Sequence, residues 1–273
     1  MREKISACLM TFNEERNIER ALKSLQWCDE IVVLDSFSTD RTVELARAFT
    51  DRIYQHKWEG FIAQRNRVRE MATHDWVLFL DADEEVTIEL KVEIERELER
   101  NRGRHVGYRF PRMVFYLGKW IRHGEWYPDR TLRLFEKTRG HSVGVEPHDR
   151  VEVDGPVKNL RTPLLHYTHD NVWDHLVNIN DFSSISAKAK FDSGIRFRFR
   201  DLFWRPHWRF FRGYFIKCGF RDGWAGYMIA LMSMFEATVK YAKLWELELE
   251  AKSKKRSAPS VSAPDPQPPA ASS

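Results

Sequence analysis

Three short apolar runs, at residues 5–11, 31–34 and 76–80, constrain the fold of this chain more than any other feature of its sequence. Each run has the length of a buried strand. Between the runs, apolar residues recur every three or four positions, as they do on one face of a helix. Strands that alternate with helices predict a parallel sheet covered by helices on both faces. We therefore expect an α/β domain over residues 1–170.

The pattern changes after residue 103. Segments 105–117, 131–137 and 150–154 have the composition of β-strands and are separated by turns that contain glycine and proline. Strands that follow one another without intervening helices indicate antiparallel pairing. We expect these segments to form an antiparallel or mixed part of the same sheet.

The C-terminal part of the chain has the pattern of helices followed by a tail. Residues 173–190 and 224–250 have helical periodicity, which predicts a helical extension over residues 171–252. The rest, 253–273, is rich in serine, alanine and proline, and we expect it to be disordered. The apolar run at 224–235 is shorter than the roughly 20 residues that a membrane span requires.

The cysteines and the net charge add little. Cys8, Cys28 and Cys218 form no Cys-X-X-Cys pair, so we interpret them as structural thiols of a protein in the reducing cytoplasm. The formal net charge of +4 favours no class of partner, so only the distribution of charge is informative.

Polar segments follow the three apolar runs. Thr-Phe-Asn-Glu-Glu occupies residues 11–15, Asp-Ser-Phe-Ser-Thr-Asp residues 35–40, and Asp-Ala-Asp residues 81–83. Open α/β sheets bind ligands at the carboxyl ends of their strands, and these ends lie along one edge. We expect the three segments to converge on a single site.

Asp81 and Asp83 are the most informative pair in these segments. Two carboxylates two residues apart, just after a strand, can both face one hard cation, and Mg²⁺ or Mn²⁺ prefers such oxygen ligands together with phosphate oxygens. A solvated acidic loop at the start of a helix is the usual explanation of such a pair in isolation. Its position beside two other polar strand ends favours the metal site here.

Together these motifs resemble glycosyltransferase family 2. The resemblance rests on Thr-Phe-Asn-Glu-Glu at 11–15, Leu-Asp-Ser-Phe-Ser-Thr-Asp at 34–40, Gln-Arg-Asn at 64–66 and Phe-Leu-Asp-Ala-Asp-Glu at 79–84. It covers about residues 5–100 in order and spacing. Further motifs resemble a subgroup that includes bacterial lipopolysaccharide core β-1,4-glucosyltransferases, at residues 126–128, 132–135, 147–149, 165–167 and 219–223.

The resemblance implies a GT-A fold, with a mixed, mostly parallel central sheet flanked by helices, and a helical C-terminal extension. It also implies an inverting transfer of a hexose, glucose by the subgroup, from a UDP-sugar. By the family pattern, the nucleotide is bordered by Thr11, Asn13 and Glu14, the uracil or ribose by Asp35, the ribose or metal by Asp81, and the metal by Asp83.

The Gln-Arg-Asn motif belongs to a helix that faces the donor in the family. Arg65 would then offset the diphosphate charge, with Gln64 and Asn66 beside it. The alternative is that Arg65 is an exposed helix arginine.

An inverting transfer requires a general base near the acceptor hydroxyl. Asp149 is the candidate that the resemblance implies, although relatives often carry glutamate there and the shorter side chain changes its reach. Glu146 is the local competitor, and a salt-bridged surface carboxylate is the alternative explanation of Asp149. His148 and His166 are either structural or metal ligands, and we assign His166 to the metal with Asp83.

Arg130 and Arg133 follow the Trp-Tyr-Pro motif of the subgroup. Each could bind phosphate or pair with a nearby acid. The sequence leaves both interpretations open.

Residues 196–221 combine eight arginines and lysines with many aromatic residues and a single acid, Asp201. Such a segment suits an anionic membrane surface. Binding of single-stranded nucleic acid by stacking, or plain packing, are alternatives, and we expect no nucleic acid. A protein on the inner face of the cytoplasmic membrane would meet a glycolipid acceptor there.

We therefore predict a metal-dependent glycosyltransferase that uses a UDP-sugar and a saccharide or glycolipid acceptor, such as a lipopolysaccharide core. A sugar nucleotidyltransferase shares the α/β plan, but it would carry a glycine-rich loop, and residues 11–16 contain no glycine. A membrane-associated binding module without catalysis is the other alternative.

Overall fold

The computed structural model describes residues 3–146, 148–169 and 171–257. In chain order, the strands are β1 (Ile5–Thr11), β2 (Glu30–Asp35), β3 (Ile53–Gln55), β4 (Trp76–Asp81), β5 (Glu84–Glu85), β6 (Gly107–Tyr116), β7 (Lys119–Trp120), β8 (Asp129–Glu136), β9 (Gly140–Val145), β10 (His148–Val153), β11 (Val157–Asn159) and β12 (Leu164–His166). The helices are α1 (Ile18–Ser24), α2 (Thr42–Ala46), α3 (Phe61–Met71), α4 (Ile88–Asn101), α5 (Val172–Asp192), α6 (Phe199–Phe211) and α7 (Gly223–Ser257).

One mixed sheet forms the centre of the molecule, with the strand order β3-β2-β1-β4-β8-β6-β12-β5 and with β7 and β11 paired to β6. Strands β3, β2, β1 and β4 are parallel to one another. Strand β8 is antiparallel to both β4 and β6, and β9 and β10 form a separate hairpin. The predicted α/β class, with a mixed sheet flanked by helices, is confirmed.

Helices cover both faces of the parallel strands, which is why those strands are apolar throughout. Leu78 of β4 joins a core cluster with Leu22 of α1 and Ile94 of α4. The next residue, Phe79, points to the opposite face and joins a second cluster with Val68 of α3. Burial on both faces explains the unbroken apolar runs from which the strands were predicted.

The helical extension is joined to the sheet domain by a small apolar cluster. Val114 and Tyr116 of β6 and Ile121 pack there with Ala225 and Ile229 of α7. Helices α5 and α6 both pack against α7. The extension was predicted, but α6 was not predicted as a helix.

Helix α7 continues to Ser257 and so enters the segment predicted to be a tail, 253–273. The rest of that segment, 258–273, lies outside the described residues. In the part of the chain that the structure describes, no helix is long and apolar enough to cross a membrane.

The three cysteines are free thiols. Cys8 is buried in β1, and burial raises the pKa of its thiol to about 12. A thiol held in its protonated form is unreactive, which agrees with a structural part for Cys8.

Candidate active site

The polar ends of β1, β2 and β4 lie side by side at the carboxyl edge of the sheet. Thr11 is opposite Asp35 in the β1–β2 register, and Met10 is opposite Asp81 in the β1–β4 register. Asp83 follows in the turn after β4. Because the three strands are parallel, all of their loops emerge on the same side, and the predicted convergence is observed.

Asn13 and Glu14 tie the loops after β1 and β2 together. Asn13 has a left-handed backbone conformation (φ 54°), which asparagine adopts more readily than most residues. Its side-chain oxygen accepts a hydrogen bond from Thr39 N (2.8 Å), and its own N–H donates to the Ser38 hydroxyl (2.9 Å). The N–H of Glu14 donates to the Thr42 hydroxyl (2.7 Å). Asn13 therefore has a structural role, because it holds together two loops at the edge of the site.

Asp35 is fully buried at the end of β2. Its carboxylate accepts hydrogen bonds from the N–H and hydroxyl of Ser38 and from Gln55 Nε2 (3.0 Å). A carboxylate has about four acceptor positions, so Asp35 can accept from one further donor. At the same edge, Thr11 Oγ1 and Gln64 Oε1 are buried without a hydrogen-bond partner among the described residues. Such atoms are uncommon, and a polar ligand would satisfy them.

Asp81 lies between two arginines. Arg65 NH2 is 2.8 Å from Asp81 Oδ1, and Arg133 NH2 is 2.5 Å from Asp81 Oδ2. Arg133 also pairs with the fully buried Glu84 (2.6 Å). Burial alone would raise the pKa of Asp81, but the charges of Arg133 and Arg65 outweigh burial and hold this pKa well below its usual range. Asp81 is therefore a permanent anion at neutral pH.

Asp149 of β10 joins this network through Arg65. The distance from Arg65 Nε to Asp149 Oδ2 is 2.7 Å, but the N–H is not aligned for a hydrogen bond, so the contact is an ion pair. Glu146 instead accepts a hydrogen bond from Ile62 N (3.0 Å) in the first turn of α3. Of the two carboxylates considered for acceptor activation, Asp149 is the one that contacts the Asp81 network.

Asp83 and His166 form a second pair beside the first. Strand β12 is antiparallel to β5 with His166 opposite Glu84, and Asp83 Oδ2 is 3.0 Å from His166 Nε2. Burial lowers the pKa of His166, but the charge and hydrogen bond of Asp83 outweigh it, so the pKa is raised overall. The pKa of Asp83 is lowered, because His166 outweighs the opposing effect of burial.

This pair fits a divalent cation as part of a larger ligand set. A carboxylate oxygen and an imidazole nitrogen are both common metal ligands, and Asp83 and His166 already lie close enough to share one ion. His166 Nδ1 is buried and has no hydrogen-bond partner among the described residues. In that same part of the chain, no group of three or more His, Cys, Asp or Glu side chains is arranged to hold a metal. Further oxygen ligands would have to come from a bound diphosphate or water.

The other candidates have structural partners. Asn66 exchanges two hydrogen bonds with the backbone of Ser142, both 2.9 Å, and so fixes α3 to β9. Arg130 donates to the Leu160 carbonyl (2.8 Å). For Arg133, the interpretation as an acid partner is confirmed. The alternative that Arg65 is exposed is wrong, since its exposed fraction is 8%. The side chain of His148 lies outside the described residues.

The network of charges continues into β6, which was not predicted from the sequence. Arg112 forms an ion pair with Asp129 and lies 3.6 Å from Glu84, which itself pairs with Arg133. Arg112 and Asp129 are opposite each other in the β6–β8 register, which shifts at Tyr108. Spacing along the chain gives no signal for a pair that depends on a strand register with such a shift.

The family model and the similar proteins all indicate the same family. The model of glycosyl transferase family 2 matches residues 6–152. An uncharacterized glycosyltransferase of Rickettsia typhi is 31% identical over 262 residues, which are 92% of this chain and 89% of that protein. The lipopolysaccharide core biosynthesis glycosyltransferase LpsC of Rhizobium meliloti is 29% identical over 249 residues, covering 89% of this chain and 92% of that protein.

Among solved structures, glucosyl-3-phosphoglycerate synthase of Mycobacterium tuberculosis, in complex with Mn²⁺, UDP and glucosyl-3-phosphoglycerate, matches at a TM-score of 0.35 and 28% identity. The match covers 42% of this chain and 45% of that one.

Proposed function

Since this chain belongs to glycosyltransferase family 2 and is therefore a glycosyltransferase, we propose that it transfers a hexose from a UDP-sugar to a lipid-linked saccharide with inversion. The observation that carries this proposal is the single cluster at the ends of β1, β2 and β4. In it, Asp83 and His166 lie beside the ion-paired Asp81, and Asp149 contacts the same arginine as Asp81. Family membership decides against the nucleotidyltransferase and the non-catalytic module.

The donor would bind along the carboxyl edge of the sheet. Asp35 would border the uracil or ribose from the end of β2, and the unpartnered oxygens of Thr11 and Gln64 lie at the same edge. Asp81 lies one strand further along, opposite Met10. This order would put the nucleotide over β1 and β2 and the diphosphate toward β4.

Asp83 and His166 would hold a divalent cation, Mg²⁺ or Mn²⁺, together with diphosphate oxygens. When bound, such a cation neutralises the charge that develops on the leaving UDP. Arg65 lies between Asp81 and Asp149. Its guanidinium would also offset part of the negative charge of the diphosphate. Arg133 keeps Asp81 compensated if Arg65 moves.

Asp149 would activate the acceptor hydroxyl. Its contact with Arg65 is an ion pair and not an aligned hydrogen bond, so the carboxylate retains oxygen lone pairs for an incoming hydroxyl proton. Arg65 would hold the carboxylate in place while the hydroxyl oxygen attacks the anomeric carbon opposite the leaving UDP. The proton then passes to Asp149.

The similarity to a lipopolysaccharide core biosynthesis enzyme over most of both chains supports a lipopolysaccharide or lipooligosaccharide core, or another lipid-linked glycan, as acceptor. Glucose is proposed as the hexose from the motifs that resemble the β-1,4-glucosyltransferase subgroup. An enzyme with such an acceptor works at a membrane surface. We assign it to the cytoplasmic face of the inner membrane, with peripheral contact through residues 196–221.

The test is a donor screen that measures UDP release from UDP-hexoses, with and without Mn²⁺, in the presence of purified membrane glycolipid. We expect turnover that requires both the metal and the glycolipid. Asp149→Asn should lower kcat about 10²- to 10⁴-fold with little change in the donor KM. The matched variant is Glu146→Gln, because Glu146 is close to Asp149 in the chain but accepts a hydrogen bond from the start of α3. This variant should retain most of the activity. Absence of metal-dependent turnover with every UDP-sugar would refute the proposal.

A further inference from the structure

Helix α6 presents its aromatic side chains to the outside of the molecule. Phe203, Trp204, Trp208 and Phe211 follow one another at helical spacings and all lie on its exposed face. Trp204, with 68% of its surface exposed, is typical of them. A soluble helix normally directs its large apolar residues toward the core, so this pattern is inverted.

These rings lie along one side of α6 in two contacting groups. Phe203 contacts Trp204 (5.7 Å between ring centroids), while Trp208 contacts Phe211 (6.0 Å) and Phe211 contacts Phe215 in the turn after the helix (5.3 Å). We call these five side chains the aromatic ridge. A concentration of exposed apolar surface of this kind marks a site of interaction.

The opposite side of α6 already packs against the molecule. Pro206 is buried, and Arg209 forms an ion pair with Glu236 of α7 (3.0 Å). Arg205 lies over the ring of Tyr241 of α7 (5.6 Å). Helix α6 is therefore anchored through its opposite side, and the exposed ridge is available to an external partner.

The positive charges of the segment fall into two groups. Arg205, Arg209, Arg212 and Lys217 pair with acids of this chain. Arg196, Arg221 and, at the start of α6, Arg198 and Arg200 are exposed and form no ion pair with any residue that the structure describes. The surface beside the ridge therefore carries uncompensated positive charge and is complementary to an anionic partner.

From this arrangement we infer that the aromatic ridge inserts into the interface of an anionic phospholipid bilayer, with α6 lying in the membrane plane. Aromatic rings favour the boundary between headgroups and acyl chains, and exposed arginines attract anionic headgroups. The inference deepens the proposed function, on whose lipid-linked acceptor it rests. It also assigns separate roles within residues 196–221. The aromatic rings insert into the bilayer, and only the unpaired arginines attract the anionic headgroups.

The turn after α6, at the end of the ridge, contacts the loop that leads into β8. Arg212, just beyond α6, pairs with Glu125 (2.6 Å), and Gly124 N donates to the Lys217 carbonyl (2.9 Å). The loop that contains Glu125 leads directly into β8, and β8 carries Arg133. A bilayer bound at the ridge would therefore lie near the loop that precedes β8.

The experiment is co-sedimentation of the full chain with phosphatidylcholine vesicles that contain or lack phosphatidylglycerol. We expect binding to the anionic vesicles, and the variant Trp204→Ser/Trp208→Ser/Phe211→Ser should reduce the partition coefficient at least about tenfold. Trp173→Ser is the matched control, because Trp173 of α5 is 72% exposed but lies outside the ridge, and it should bind as the wild type does. Arg198→Gln/Arg200→Gln should weaken binding to anionic vesicles and leave binding to neutral ones unchanged.

Three results would overturn the inference: no binding of the wild type to anionic vesicles, unchanged binding of the triple variant, or a dimer in light scattering that the triple variant abolishes. Thermal melts of every variant separate loss of binding from loss of folding. Turnover is measured in parallel on detergent-solubilised glycolipid, where the triple variant should match the wild type. If turnover is absent but the ridge variants still lose vesicle binding, the proposed function fails and the ridge stands.

Discussion

At the scale of single residues, the site is a set of opposite charges that neutralise one another. Arg133 is 3% exposed and is the partner of both Asp81 and the fully buried Glu84. A buried carboxylate that loses its nearest charged partner is costly, because no water replaces the lost charge, and this applies to Glu84 more than to Asp81, which also pairs with Arg65. Arg133 is therefore the residue on which the integrity of the site depends most.

Arg133→Gln should destabilise the protein by about 3–5 kcal/mol, since it leaves the fully buried Glu84 with only the more distant Arg112 (3.6 Å) as a charged partner. The measurement is urea unfolding followed by circular dichroism. Arg130→Gln, three positions earlier in the same strand, removes only the contact of an exposed side chain with the Leu160 carbonyl and should cost far less. Equal losses in the two variants would contradict the importance given to Arg133.

At the scale of elements, regular periodicity predicted the long strands and helices, but it could not predict short elements that have no repeating pattern. The predicted bounds agree with β1 and, to within two residues, with α5, because an unbroken apolar run and a regular helical repeat have clear ends. The strands β5 and β12, which bring Glu84 and His166 together, have two and three residues and show no pattern. Helix α6 was missed because its aromatic residues face outward.

The contact between α5 and β6 makes stability depend on pH. Tyr116 OH and His175 Nδ1 are 2.9 Å apart, and burial, helped by the charge of His169, lowers the pKa of His175 from 6.5 to about 4. The unfolded chain therefore binds this proton more readily than the folded one. Stability should fall as the pH is lowered from 6.5 toward 4 and should lose nothing further from this group below that.

Urea unfolding at a series of pH values checks this expectation. His175→Gln should show a smaller loss of unfolding free energy between pH 6.5 and 4 than the wild type. His141→Gln, at an exposed position of β9, should follow the wild type. Identical slopes for His175→Gln and the wild type would show that His175 is not the source.

At the scale of the whole molecule, the sheet domain and the helical extension are joined at Asp222. Its carboxylate accepts hydrogen bonds from the N–H groups of Arg122 and His123 (3.0 and 2.8 Å), and Lys119 donates to its carbonyl (3.0 Å). The Gly-Phe-Arg-Asp-Gly motif at 219–223, for which no physical reason was evident from spacing or composition, thereby holds the loop before β8. The domain bounds proposed from composition stay predictions.

The central claim is that Asp83 and His166 hold a divalent cation together with the diphosphate of the donor. Its most direct test is calorimetric titration of UDP in the presence and absence of Mn²⁺. We expect Mn²⁺ to strengthen UDP binding to the wild type, and Asp83→Asn to lose at least about tenfold of that gain. The matched control is Glu85→Gln, whose carboxylate lies in the same acidic run but contacts the Tyr167 hydroxyl (2.9 Å), and it should keep the gain. If Mn²⁺ strengthens UDP binding equally in Asp83→Asn and in the wild type, the metal site is elsewhere and the account is wrong.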